Sequence, residues 1–187
     1  GEIAILRDLA SPITVAVVTN IGPTHLEFFK TIKAIEKEKR EIFNTKYKIK
    51  RVGPFPGNDP DKENKEAARA VGRALGINVN KFQYERPKMR LEKLFKEGIN
   101  IINDTYNANP HSVAAALAYL QQFPGQKIFV FGDMGELGGD GIVLHQQVGE
   151  QAKNMGINKF YACGQLTEHS VNSFGDNAQH FADQTSL

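Results

Sequence analysis

An α/β protein with a right-handed, mostly parallel sheet is what this 187-residue sequence predicts. Three observations predict it. Short apolar runs rich in β-branched residues alternate with amphipathic helical patterns, as in βαβ units. The runs are continuous rather than polar on alternate residues, the mark of strands covered on both faces. Clusters of Gly, Pro, Asn and Asp close most of them.

The elements follow in order. Ile13–Val18 (ITVAVV) reads as a buried strand ending in the turn cluster Thr19–Pro23. Thr31–Phe43 (TIKAIEKEKREIF) sets Ile32, Ile35, Lys39 and Ile42/Phe43 at helical spacing, with charges between them, so it is an amphipathic helix. Tyr47–Val52 allows a short strand before a Pro- and Gly-rich loop. Asn64–Leu75 is a helix stopped by Gly76. Met89–Phe95 is compatible with a strand or a short helix. Asn100–Asn103 is a strand, and Ser112–Phe123 a helix with Val113, Ala116, Leu117 and Leu120 on one face. Lys127–Phe131 is a strand followed by the Gly-rich loop GDMGELGGDG, then a helix over Val143–Met155. Lys159–Cys163 is a strand ending at Gly164, Thr167–Ser173 a short helix, and Gln179–Ala182 a last strand.

Composition excludes several classes. At 41% hydrophobic and 24% charged, the chain is that of a globular protein. A single cysteine, Cys163, rules out a disulfide framework and a cysteine-based zinc site, and it fits a reducing cytoplasm. No apolar run approaches a bilayer span, so no membrane insertion is expected. The first residues, GEIAILRDLASPITVAVV, lack the pattern of a signal peptide. The net charge of +2 hides an asymmetry: residues 1–94 carry 19 Lys/Arg against 12 Asp/Glu, whereas residues 95–187 carry 4 against 9. A basic half and an acidic half suggest two units with different partners. The basic run Lys46–Arg51 lacks the interleaved aromatics of a nucleic-acid surface, and no nucleic-acid partner is expected.

Ligands of open α/β sheets bind beyond the carboxyl ends of strands. The loops expected there are Thr19–Glu27, Asp104–Pro110, Gly132–Gly141 and Gly164–Thr167. The first carries His25, which reads either as a metal ligand or acid/base group or as a surface histidine. The second, Asp104-Thr105-Tyr106-Asn107-Ala108-Asn109-Pro110, gathers a carboxylate, a phenol and two carboxamides before a helix start. That is suited to an anion, or equally to Asx-turns and an N-cap. The third is Gly-rich but is neither G-x-G-x-x-G nor G-x-x-x-x-G-K-[ST], and reads as a solvated turn. Lys39 stands on the apolar side of its helix, where a lysine either snorkels or has a special role.

Together, TNIGPTHLEFF, IEKEKREIF, RLE, IINDTYNANPHSVAAALAYL, KIFVFGDMGELG and the run His145–Gly149 resemble the Mur ligase family. Stretches 12–43 and 98–187 match; 44–93 departs. The resemblance implies a Rossmann-like C-terminal domain over 95–187 and a partial central ATPase domain of the P-loop type over 1–94. The DTYNANP segment resembles the member that adds D-alanyl-D-alanine to UDP-N-acetylmuramoyl tripeptide. The implied activity is an ATP-dependent amide ligation through an acyl phosphate, by a cytoplasmic, monomeric enzyme of peptidoglycan precursor synthesis that uses Mg²⁺. The resemblance also carries roles to residues. His25 and a carbamylated Lys39 fall on metal-binding positions, and Arg90 falls on a linker arginine that contacts ATP phosphates. Asp104 falls on an aspartate that binds the ribose and helps domain closure. Asn64 falls on the adenine side, and Tyr106, Asn107 and Asn109 fall where the dipeptide is met.

The departures set further expectations. The family's uridine-nucleotide domain, its P-loop, part of its central sheet and its last strands are expected to lie outside this sequence. The G-x-H-N-x-x-N element stands as GNDPDKEN, with Pro60 and Asp61 at the His and Asn positions. An isolated chain without a P-loop is expected not to turn over, because much of the stabilisation of the γ-phosphoryl group is lost. Two other readings stay open: a non-catalytic α/β module that binds a nucleotide or small molecule, and, more weakly, a dehydrogenase.

Overall fold

The structure is a computed structural model and describes residues 1–22, 26–56, 60–80 and 85–187. The chain forms two compact units, Gly1–Pro23 with Phe29–Arg86, and Thr24–Phe28 with Pro87–Leu187. Leu94, where the charge balance changes sign, lies inside a strand of the second unit.

The first unit contains α1 (Glu2–Leu9) and β1 (Val15–Val17). After α2 (Leu26–Phe29) come α3 (Ile32–Arg40), β2 (Lys50–Val52) and α4 (Pro60–Leu75). Strands β1 and β2 pair in parallel, Val15 opposite Lys50 and Val17 opposite Val52. Thr31 caps α3 by accepting from the Ala34 N–H at 3.1 Å, and the helix ends in a 3₁₀ turn over Glu41–Phe43. Ala16, Val18 and Phe43 form the core beneath β1. Gly53 follows β2 with φ +85°, and a Cβ there would stand 1.9 Å from the Val18 carbonyl oxygen, so only glycine fits.

The second unit opens with a hairpin. Strands β3 (Glu92–Lys96) and β4 (Ile99–Asn103) pair antiparallel, Glu92 opposite Asn103 and Lys96 opposite Ile99. Their link, Glu97-Gly98, has φ +51° and +82°, the two positive angles of a type I′ turn, which matches the twist of paired strands. Next come α5 (Pro110–Leu120), β5 (Ile128–Gly132), α6 (Gly141–Asn154), β6 (Lys159–Cys163), α7 (Thr167–Phe174) and β7 (Ala178–Phe181). Strands β5, β6 and β7 form a parallel sheet in that order. Its core joins Val113 and Leu117 of α5 and Val148 and Ala152 of α6 to Phe131, Phe160, Ala162 and Phe174.

Three features depart from the sequence expectation. Helix α1 occupies a segment to which no element is assigned. Among the described residues the strands form a parallel pair, an antiparallel hairpin and a parallel three-stranded sheet, and in the hairpin the strand at Asn100–Asn103 turns back on its predecessor through Glu97-Gly98 instead of joining a parallel array. The Gly-rich loop after β5 is not a solvated turn: Met134 is 2% exposed and Leu137 6%, so this loop closes the core.

Candidate functional site

The end of β4 and the segment just before β3 are held together by a dense set of bonds. The Leu91 N–H donates to Asp104 Oδ1 at 3.0 Å, and the Tyr106 N–H donates to the Met89 carbonyl at 3.1 Å. Glu92 Oε2 accepts from the Met89 N–H at 3.0 Å and from Asn103 Nδ2 at 3.2 Å. Met89 and Leu91 lie in the left-handed region, φ +59° and +51°, a conformation costing a non-glycine residue about 1–2 kcal/mol. The surrounding bonds over-determine it. Arg90 lies between these two residues, and its guanidinium carbon sits 3.9 Å from the centre of the Tyr106 ring. Both side chains are exposed. Arg90, Asp104 and Tyr106 therefore come together on one surface of the second unit.

The rest of the loop uses its polar side chains on one another and on its own backbone. Asn103 Oδ1 accepts from Thr105 Oγ1 at 2.8 Å, and Asn107 Oδ1 from the Ala108 N–H at 2.9 Å. Asn109 caps α5: its Oδ1 accepts from the Ser112 N–H at 2.9 Å, while Ser112 Oγ accepts from the Asn109 N–H at 3.0 Å. This reciprocal pair satisfies two donors at the helix start. Pro110 follows at the first helical position, where its missing N–H costs nothing.

Lys39 belongs to the first unit. Its Nζ donates to the Asn20 carbonyl at 2.9 Å, just beyond β1. It borders a largely apolar cavity of about 360 Å³ whose lining includes Val17, Val18, Thr19 and Ile42. Burial pushes its amine below the ordinary lysine value, since a poorly hydrated ammonium is disfavoured. Asn64 is exposed on α4. His25 lies outside the described residues, as does most of the GNDPDKEN start. Among the described residues no three His, Cys, Asp or Glu side chains cluster as metal ligands.

Two further polar residues were not singled out from sequence. Asp133 follows β5, and its carboxylate accepts from the N–H groups of Gln165, Leu166 and Thr167 at 2.8, 3.0 and 2.9 Å. It thus holds the start of α7, where negative charge is favoured. His145 is wholly buried on α6. Its Nδ1 lies 2.7 Å from the Gly141 carbonyl and its Nε2 3.1 Å from the Met134 N–H. Those partners assign the proton to Nδ1 and make Nε2 the acceptor. The available signal is the pairing of GDMGELG with a histidine one helix turn inside the following helix.

Among the described residues no helix is long and apolar enough to cross a membrane. Residues 2–102 match the profile of the Mur ligase middle domain, and residues 89–186 that of the Mur ligase, glutamate ligase domain. The UDP-N-acetylmuramoyl-tripeptide–D-alanyl-D-alanine ligase of Buchnera aphidicola subsp. Acyrthosiphon pisum is 28% identical over 253 residues, covering all of this chain and 55% of that protein. That aligned span exceeds 187 residues, so it crosses stretches of the relative that this chain lacks. The Escherichia coli ligase of the same name is 33% identical over 72% of this chain and 30% of its own length. The solved MurF ligase of Thermotoga maritima, in complex with ADP, superposes with a TM-score of 0.81 at 25% identity, over 96% of this chain and 55% of that one. The chain spans about half the length of the curated relatives that it matches throughout. With two domain profiles that overlap over residues 89–102 and together cover residues 2–186, the chain belongs to the Mur ligase family.

Proposed function

We propose that this chain carries the ATP- and dipeptide-handling part of a ligase that adds D-alanyl-D-alanine to UDP-N-acetylmuramoyl tripeptide in the cytoplasm. The observation that supports it most is the bonded cluster of Arg90, Asp104 and Tyr106 at the start of the DTYNANP loop. In the reaction, a peptide carboxylate attacks the γ-phosphorus of ATP. A P–O bond forms as the bond to ADP breaks, giving an acyl phosphate. The dipeptide amine then attacks the acyl carbon, loses a proton, and phosphate leaves.

In this reading Arg90 meets the polyphosphate, a role for which a planar guanidinium is suited because its in-plane N–H groups pair with phosphate oxygens. Asp104 accepts from the ribose hydroxyls, and Asn64 faces the adenine side. Tyr106, Asn107 and Asn109 line the approach of the dipeptide. Such transfer relies on positioning and charge stabilisation rather than on covalent help from the protein.

Magnesium prefers hard oxygen ligands, and the described residues alone do not compose such a site. Lys39 enters only as a carbamate, in which its amine nitrogen bonds the carbon of CO₂, releases a proton and gains two oxygens. Its lowered basicity leaves more free amine for that addition. At mildly alkaline pH in ¹³C-labelled bicarbonate, the chain is expected to show a carbamate carbon signal that is missing from Lys39→Gln. Equal spectra would remove Lys39 from the metal reading.

The ATP reading is tested by calorimetric titration with Mg·ATP. Asp104→Ala is expected to weaken binding about tenfold or more, in line with the roughly 1.5–3 kcal/mol of a hydrogen bond to a charged group. Unchanged affinity would refute the assignment. If the chain is instead a non-catalytic module, Mg·ATP binds but D-alanyl-D-alanine leaves residues 106–109 unperturbed.

A further inference from the structure

We infer that Tyr106 is a positioning residue for Arg90: its ring is the platform that holds the guanidinium in place and leaves its donors for a polyphosphate. The inference rests on the reading of Arg90 as the phosphate-facing arginine and assigns Tyr106 a task besides meeting the dipeptide.

An exposed arginine ordinarily has no fixed direction. Its side chain has many rotamers, and binding an anion must first select one. Here the backbone on both sides of Arg90 is fixed in the left-handed region at Met89 and Leu91, so the direction in which Arg90 leaves the chain is set. Tyr106 is brought beneath it by its own N–H, which donates to the Met89 carbonyl, and by Asp104, whose Oδ1 takes the Leu91 N–H. The ring and the guanidinium then meet at 3.9 Å.

The kind of contact matters. A cation over an aromatic face is held by the ring quadrupole, and stacking uses the face of the guanidinium while its N–H groups point outward in its plane. A carboxylate partner would hold Arg90 equally well but would consume those donors and cancel the charge. No ion pair to Arg90 occurs among the described residues. An arginine held by an aromatic ring rather than by a carboxylate keeps its charge and its donors for an incoming anion.

The test follows the Arg90 Nε–Hε resonance of the full chain, alone and during titration with Mg·ATP, in wild type, Tyr106→Phe, Tyr106→Leu and Arg90→Lys. A ring-current displacement of the Arg90 signal is expected in wild type and Tyr106→Phe and is expected to vanish in Tyr106→Leu. ATP affinity should be unchanged in Tyr106→Phe and weakened about two- to fivefold in Tyr106→Leu, the range of an exposed stack. Arg90→Lys should weaken binding at least as much. Retention of full affinity in Tyr106→Leu would overturn the inference. So would a wild-type titration in which Asp104 responds and Arg90 does not, and that result would leave the ATP reading standing. A chain in which no resonance responds to Mg·ATP would overturn both.

Discussion

Phe160→Ala should cost the second unit about 3–5 kcal/mol of unfolding free energy, the largest single loss expected in this chain. Phe160 is fully buried in the middle strand of the β5–β6–β7 sheet. Its ring meets Phe129 at 5.5 Å, Phe131 at 6.1 Å and Phe174 at 5.3 Å between centroids. Truncation removes the buried rim of three aromatic contacts at once. The neighbours stand on a hydrogen-bonded sheet and on α7, so they cannot collapse into the void, and the cavity penalty adds to the lost transfer energy. The loss is comparable to much of the stability of an ordinary domain, about 5–15 kcal/mol. Urea unfolding followed by far-UV circular dichroism checks it, with Ile128→Ala as reference because that side chain is 48% exposed. A Phe160→Ala loss no greater than that of Ile128→Ala would mean that the ring cluster is not the centre of the core.

Gly149→Ala should also destabilise, and here the sign is the sharper test. In an exposed helix interior this change gains about 1 kcal/mol of propensity. At Gly149, however, a Cβ would stand 2.1 Å from the Ser170 carbonyl oxygen, 2.9 Å from the Ser170 carbonyl carbon and 3.1 Å from the Phe174 nitrogen. All three are backbone atoms of α7, so no rotamer change can relieve the clash. The two helices must separate, which breaks the 2.7 Å bond from Ser170 Oγ to the His145 carbonyl and loosens the sheet-facing side of α6. Overpacking of this kind costs roughly 1–3 kcal/mol and at times more, so a net loss of about 1–3 kcal/mol is expected. A lowered melting temperature, with faster amide exchange in α7 than in β5, is the expected result. A raised melting temperature would show that α6 and α7 are not in backbone contact.

Much of the second unit was legible in the sequence because its elements obey local rules. Lys159–Cys163 is an apolar run behind a single lysine, set between turn residues, and it forms β6 with those bounds. The helix predicted over Ser112–Phe123 is α5, and Val113 and Leu117 are buried as their spacing requires. Gly76 ends α4 as expected, whereas Thr31, expected as the first helical residue, is the N-cap of α3. What escaped was set by tertiary structure. Glu97-Gly98 carries a weak hairpin signal next to an ambiguous run, and only strand pairing makes it a type I′ turn. The burial of Met134 and Leu137 depends on His145, eleven residues on, accepting from the Met134 N–H. Glycine-rich composition alone suggested a solvated loop there.

The candidate site was legible in part for a similar reason. Asp104, Tyr106, Asn107 and Asn109 share one loop, so the sequence already places them together. The capping reading of that loop is seen directly at Asn109, whereas Asp104 and Tyr106 reach beyond the loop to Leu91, Met89 and Arg90. The contact between Arg90 and Tyr106 could not be seen, since it arises from hairpin pairing and from two positive φ angles at Met89 and Leu91. Lys39 shows the opposite case. Its place on the apolar face of α3 was plain from periodicity, but its bond to the Asn20 carbonyl, nineteen residues earlier in the chain, is a tertiary contact that periodicity cannot show.

The most direct test of the central claim is an amide chemical-shift map of the chain under saturating Mg·ATP, followed by D-alanyl-D-alanine. The account predicts that ATP moves the resonances of Arg90, Leu91 and Asp104, and that the dipeptide then moves those of residues 106–109. Shifts confined to other surfaces, or an identical map from Asp104→Ala, would contradict it.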